Sequence, residues 1–409
     1  MARVVVVGAS LGGLRAAESL RRSGYTDEIV VVGAETHLPY NRPPLSKEVL
    51  SKGVEHDAVA FPMRSAVADV EWRLGTSAQG VDLTARTVAL SDGSEVDYDG
   101  LVIATGLRPR RLSIPGPPPN ALAGRHAVRT LDDAAGLRAR LTPGTHVVVL
   151  GAGFIGCEVA ATARQLGCDV TCVAIDAVPM LRPLGAMLGA AMQRRHEAHG
   201  VNFRLGTGVT AFQGDNHVTG VELSTGEVLQ SEVVVEAISS HCNIEWLAGT
   251  DLDLSDGVLG DSVLRACRTD GTPVDGVHVV GDLARFANPM FDDVPRRVEH
   301  WNIPTETARR AGAALAEYLD SASYEQALAD RFVPLPAFWS DQFEVRLQSF
   351  GAPGLAGSEP DDVRVLEGDV DAEAIVGYHR AGDLVGVVGI GMLKQVMTYR
   401  TQIGSIASA

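Results

Sequence analysis

Two strand-to-helix turns of one design constrain this chain more than anything else in it. The first is Arg3-Val-Val-Val-Val-Gly8-Ala-Ser10-Leu-Gly-Gly13; the second is Thr145-His-Val-Val-Val-Leu-Gly151-Ala-Gly153-Phe-Ile-Gly156. Each runs from a valine-rich strand into a segment of small residues that opens a helix. At such a turn a side chain would block close backbone approach, and the helix N-terminus attracts a pyrophosphate. Two of them call for two α/β halves with parallel sheets. Two dinucleotides in one chain point in turn to hydride chemistry.

In the first turn Ser10 takes the middle position, as the smallest substitute for glycine. Glu35 follows at the end of the next strand, where an acid accepts hydrogen bonds from an adenosine ribose. Any tight turn can be glycine-rich, but strand, helix and acid together favour a dinucleotide. Gly281-Asp282 ends the apolar run Val277-His-Val-Val. Alone it reads as a simple turn. Beside the first fingerprint it offers a carboxylate to the ribityl chain of FAD, with a following helix N-terminus facing the flavin.

At 409 residues, 45% hydrophobic and 21% charged, the chain suits two or three globular domains. No uninterrupted apolar run reaches the ~18 residues of a membrane span. Met1-Ala2-Arg3 leads directly into a strand whose Gly8 belongs to a motif that a cleavable leader would destroy, so a cytoplasmic protein is expected. Cys157, Cys168, Cys172, Cys242 and Cys267 make no C-x-x-C pair and no zinc spacing, and their odd number fits a reducing compartment. No metal site is expected. A net charge of −16 argues against nucleic acid or an anionic membrane as partner. An acidic protein partner would require a local basic patch.

Strands are expected at 3–8 and 29–33 around a helix near 12–22, with a proline-rich loop at 36–47 and alternating strands through 70–98. A buried strand then ends at Ala104-Thr105-Gly106. Pro115-Gly-Pro-Pro-Pro119 is a stiff break. The pattern restarts with a helix at 131–141, a strand at 145–151, a helix at 154–167 and a strand at 169–175. Hairpin strands at 217–236 and a helix near 302–320 follow, and the texture changes from about residue 330. The fold class is therefore α/β, with two Rossmann-like dinucleotide-binding domains and an α+β C-terminal domain. The expected boundaries are 1–112 with 243–325 for FAD, 113–242 for NAD(P)H and 326–409 for the C-terminal interface domain.

Leu38-Pro-Tyr-Asn-Arg42-Pro-Pro-Leu-Ser-Lys47 resembles the L-P-Y-x-R-P-P-L-S-K segment of the oxygenase-coupled ferredoxin reductases, the putidaredoxin-reductase-like flavoproteins. Ala104-Thr-Gly106, Arg129-Thr-Leu-Asp132, Val298-Glu-His-Trp301 and Phe338-Trp-Ser-Asp-Gln342 extend the resemblance over essentially the whole chain. It implies a glutathione-reductase-like arrangement in which Arg42 and Lys47 contact FAD, Lys47 beside the flavin ring. It sets Ala78 at the adenine, Arg129 near the diphosphate, Asp282 on the ribityl chain and Trp301 against the flavin's pyrimidine end. Glu158 resembles the family glutamate near the nicotinamide. Read without the family, Lys47 is a solvated loop lysine, Trp301 a core aromatic and Glu158 a surface position on a helix. Pro43-Pro44-Leu45 stands where thiol-using relatives carry a cysteine, so disulfide chemistry is not expected. A flavin needs no general base here: the protein aligns two rings.

Two departures concern the second dinucleotide. Val170-Thr-Cys-Val-Ala174 puts alanine where the family has its ribose-binding acid; Asp176 either takes that role or is a turn aspartate. Val233-Val-Val-Glu236-Ala-Ile-Ser239-Ser-His-Cys242-Asn243 replaces a V-G-I-G-x-x-P-N string, so Ala237 and Ser239 stand for glycines where backbone meets ligand. NADH is the expected donor, NADPH remains open, and Arg182 is within reach of a 2′-phosphate. The leading expectation is an FAD-dependent NAD(P)H:ferredoxin reductase serving a separate [2Fe–2S] ferredoxin and, through it, a haem or Rieske oxygenase. An NAD(P)H oxidase or quinone reductase is the enzyme alternative. A flavin-binding redox module with an impaired nicotinamide site is the non-enzyme one. Arg108, Arg110 and Arg111, or Arg296 and Arg297, are either docking charges for an acidic ferredoxin or solubilising surface groups.

Overall fold

The run Arg3–Val7 is buried along nearly its whole length and pairs on both sides in parallel, with Glu28–Gly33 and Gly100–Ile103. Valines fit such a strand because branched side chains pack on both faces of a covered parallel sheet. In this computed structural model, which describes residues 2–114, 122–357 and 361–403, the chain divides into two units. The first comprises residues 1–41, 60–108 and 242–337, and the second residues 42–59, 109–241 and 338–409. The proline break at 115–119 lies outside the described residues.

The first unit is built on a six-stranded sheet in the order Arg265–Cys267, Pro273–Val279, Gly100–Ile103, Arg3–Val7, Glu28–Gly33, Glu71–Leu74. All neighbours are parallel except the Arg265–Cys267 edge. Helix Leu11–Arg22 packs against helix Ile303–Ser321 on this sheet's core, where Gly312 lets Ser19 approach: a Cβ there would fall 2.6 Å from that of Ser19. The strands expected through 70–98 divide into Glu71–Leu74 in the main sheet and a meander of Ala78–Asp82, Thr87–Leu90 and Glu95–Asp97, turning at Asp92-Gly93.

The second unit repeats the plan with five parallel strands, ordered Asn202–Leu205, Asp169–Ala174, His146–Leu150, Val233–Glu236, Arg125–His126. It too carries a three-stranded meander, Val209–Gln213, Gly220–Leu223 and Val228–Gln230, ahead of its last long strand. The expected hairpin over 217–236 therefore ends earlier. Val233–Glu236 leaves the meander for the main sheet, because all four of its residues are buried and a two-sided core suits them better than a half-exposed hairpin. The helix expected at 131–141 closes at Arg138; it starts on a capping box between Thr130 and Asp133.

The units also regroup the sequence-based segments. Residues 326–337 stay with the first unit. Residues 42–59 belong to the second, because Leu50 is buried with Leu137, Val147 and Val159. The C-terminal sheet, ordered Ala337–Gln342, Val345–Gly351, Asp383–Ile390, Ala374–Arg380, Val363–Gly368, also falls in the second unit, apart from Ala337. Its Phe338, Tyr378 and Val388 share a core with Cys157, Leu184 and Met192. Among the described residues no helix is long and apolar enough to cross a membrane.

Candidate active site

The first turn is tight because the protein itself leaves no room. Gly8 has φ +126°, and a Cβ on it would lie 2.1 Å from the Ala104 carbonyl oxygen; one on Gly13 would lie 1.9 Å from that of Gly8. Helix Leu11–Arg22 starts at Ser10 with no acidic residue in its first turn, which keeps its positive end available to an anion. Glu35 Oε2 accepts the Tyr40 hydroxyl at 2.5 Å. Gly106 (φ +63°) follows Ala104, and its carbonyl accepts the Asn243 N–H at 2.9 Å. Ala78 opens the meander opposite Leu90. Gly281 (φ +86°) donates its N–H to the Thr307 hydroxyl at 3.0 Å, and the Asp282 carbonyl accepts from Arg297 at 3.2 Å. Trp301 is 40% exposed and donates Nε1–H to Asn41 at 3.2 Å, so it is not a core aromatic.

The second turn repeats these contacts. A Cβ on Gly151 (φ +97°) would lie 2.3 Å from the Ala237 oxygen, and one on Gly156 1.9 Å from that of Gly151. Gly153, which precedes helix Phe154–Gln165, differs: among the described residues a Cβ there meets no protein atom within 4 Å. Its glycine leaves room outside the protein, which is what a pyrophosphate approaching the backbone requires. Both turns thus fit a dinucleotide.

The repeat also settles which second-unit residues correspond to which in the first. Gly8 N–H bonds Val32 O as Gly151 N–H bonds Val173 O. Thr76 N–H bonds Gly33 O as Thr207 N–H bonds Ala174 O, and Gly75 N–H bonds Glu35 O as Gly206 N–H bonds Asp176 O. Asp176, not Ala174, therefore occupies the register of Glu35. Ala174 is buried beside Met180 and Leu184, whereas Asp176 lies 4.0 Å from Arg182. By the same logic Ala237 corresponds to Ala104 and Ser239 to Gly106. Ser239 keeps the left-handed backbone at φ +92°, which favours glycine.

Residues 42–59 bring a charged pair to the second unit. Lys47 Nζ stands 2.6 Å from Glu158 Oε2, and neither is a solvated surface group: Glu158 is 3% exposed. The Ser46 hydroxyl donates to the same oxygen at 2.5 Å, and the Ser340 hydroxyl donates to Glu158 Oε1 at 2.6 Å. Thr162 donates to the Ser46 carbonyl at 2.8 Å, holding the short 3-10 helix Pro43–Ser46 to helix Phe154–Gln165. Arg42 donates to the Arg129 carbonyl at 2.5 Å.

A family model described as pyridine nucleotide-disulphide oxidoreductase matches residues 2–308, and one described as reductase C-terminal matches 337–409. Rhodocoxin reductase of Rhodococcus erythropolis is 34% identical, with 97% of this chain and 88% of that protein covered. The ferredoxin–NAD(+) reductase component of the anthranilate 1,2-dioxygenase system of Burkholderia cepacia is 36% identical, over 98% and 94%. Putidaredoxin reductase in its covalent complex with putidaredoxin superposes with a TM-score of 0.87 at 28% identity, over 98% and 93%. The chain belongs to the oxygenase-coupled ferredoxin reductases.

As such a ferredoxin reductase it uses FAD and NAD(P)H. The disulphide in the broader family's description has no counterpart at Pro43–Ser46, and all five cysteines are free thiols. Four of the five arginines considered for docking are engaged within the fold. Arg296 pairs with Asp292, Arg297 with Asp256 and Glu299, Arg108 with Glu245, and Arg111 with Glu236. Sequence reasoning missed the groups that secure the sites. Glu236 is buried, 3.0 Å from Arg125, and accepts the Leu112 N–H. Burial pulls the Arg125 guanidinium below its ordinary range while Glu236 opposes the shift. Ser46 and Ser340 lie inside two of the five strings that carry the family resemblance, yet nothing in a single string reveals that they meet one carboxylate.

Proposed function

We propose that this protein passes electrons from NADH through FAD to a separate [2Fe–2S] ferredoxin serving a haem or Rieske oxygenase. The duplicated turn, one copy per unit and each shaped for a dinucleotide, carries the reading. Bound FAD supplies the switch from two-electron to one-electron chemistry. Lys47 presents a cation to the flavin, favouring added negative charge. Glu158 presents a carboxylate to the positive charge that grows on a nicotinamide as hydride leaves. Asp176 receives the adenosine ribose hydroxyls, and Glu35 does so for FAD; a carboxylate there favours NADH over a 2′-phosphate. Arg42, Ala78, Arg129, Asp282 and Trp301 complete the FAD contacts expected from the resemblance. We place the protein in the cytoplasm, where its five thiols would stay reduced.

Anaerobic mixing of the fully FAD-loaded protein with NADH or NADPH tests the first step. Complete flavin reduction, faster with NADH, is expected; no reduction by either coenzyme would remove the donor from the proposal.

A further inference from the structure

Glu158 is held from two directions within the second unit, and only one involves the Lys47 segment. The other begins at Ser340, fully buried on strand Ala337–Gln342, which donates to Glu158 Oε1 at 2.6 Å. Two residues along the same strand, and so on the same face, Gln342 donates Nε2–H to the Ser340 oxygen at 2.9 Å. The Gln342 carbonyl oxygen meets His196 Nε2 at 2.8 Å, on helix Leu181–Ala198.

The direction of this chain follows from its chemistry. An ionised carboxylate only accepts, so Ser340 must spend its one proton on Glu158. Its oxygen then accepts from the Gln342 amide, which leaves the Gln342 oxygen for a proton on His196 Nε2. Burial lowers the pKa of His196, keeping the ring neutral, and among the described residues its Nδ1 has no hydrogen-bond partner beside Phe203 and Phe343. The far end is closed and an amide interrupts the middle, so the chain orients rather than conducts protons.

We infer that Ser340, oriented by Gln342 and His196, is a positioning residue that fixes the Glu158 carboxylate for reaction with the nicotinamide. The C-terminal sheet is then part of the hydride-transfer machinery and not only a face for the acceptor. This rests on the proposed role of Glu158. Without Ser340 one carboxylate oxygen is buried and unsatisfied, and the group turns toward other partners.

The test is anaerobic stopped-flow reduction of the full, FAD-loaded chain by NADH, with Glu158→Gln measured alongside. Ser340→Ala is expected to lower the limiting reduction rate about tenfold while changing the NADH dissociation constant less than about threefold. Ser340→Thr, which restores a hydroxyl, should recover most of the rate. Electron delivery from chemically reduced enzyme to a [2Fe–2S] ferredoxin should be unchanged. Added to Glu158→Gln, Ser340→Ala should cost nothing more. A wild-type rate in Ser340→Ala with a slow Glu158→Gln overturns the inference alone; wild-type rates in both remove the role of Glu158 itself. Should Ser340→Ala fail to load FAD, Gln342→Leu carries the test: several-fold slower reduction supports the chain, and an unaltered rate overturns it.

Discussion

Asp176 shows how a structural register can be kept while the residue that fills it moves along the sequence. Its backbone carbonyl makes the bond that the Glu35 carbonyl makes in the first unit. Asp176→Ala is therefore expected to raise KM for NADH about tenfold with kcat little altered, read from steady-state kinetics. Ala174→Glu should not rescue it, because residue 174 points into a core with Met180 and Leu184; an unchanged KM in Asp176→Ala would assign the ribose to another group. Ser239 is the counterpart of Gly106 and holds φ +92° without being glycine. Relieving that strain by Ser239→Gly should raise the unfolding free energy by about 0.5–1 kcal/mol in a denaturant titration. A lower midpoint would mean that the Ser239 side chain contributes more than its backbone costs.

At the scale of elements, the apolar strands and the helices following the glycine turns were legible, because period and turn chemistry act locally. Strand membership was not. Val233–Glu236 and the preceding meander strands are all short and valine-bearing, and only the neighbouring His146–Leu150 strand decides which sheet takes the last one. The strand Pro273–Val279 also makes stability depend on pH. His278 is fully buried on it, Nδ1 at 3.2 Å from the Val263 carbonyl and Nε2 at 3.2 Å from the Tyr324 hydroxyl, and burial pushes its pKa down to about 3. The unfolded chain binds this proton below an ordinary histidine pKa of about 6.5 whereas the folded chain does not. Stability from this group is thus complete above that pH and falls by up to ~1.4 kcal/mol per pH unit as pH drops toward 3. Melting temperatures measured from pH 7 to 4 should decline less steeply in His278→Gln. Parallel declines would show that other groups govern acid unfolding.

For the whole molecule, family membership and both dinucleotide turns were readable from strings, whereas the assembly around Glu158 was not. Lys47, Ser46 and Ser340 come from distant segments, and their meeting depends on 42–59 joining the second unit. Charge behaves similarly. The sequence shows five arginines in two clusters, but Arg108, Arg111, Arg296 and Arg297 are each committed to carboxylates. With a net charge of −16 as well, kcat/KM for an acidic ferredoxin should change less than about threefold between ~0.05 and ~0.3 M salt. A tenfold or steeper fall would reveal a basic docking face. Electron transfer to a ferredoxin is read most directly by mixing NADH with FAD-loaded protein and a [2Fe–2S] ferredoxin, with oxygen and a quinone compared as acceptors. Ferredoxin reduction should be rapid, well above the rate with either alternative. Fast turnover with oxygen or quinone and none with any ferredoxin would contradict it.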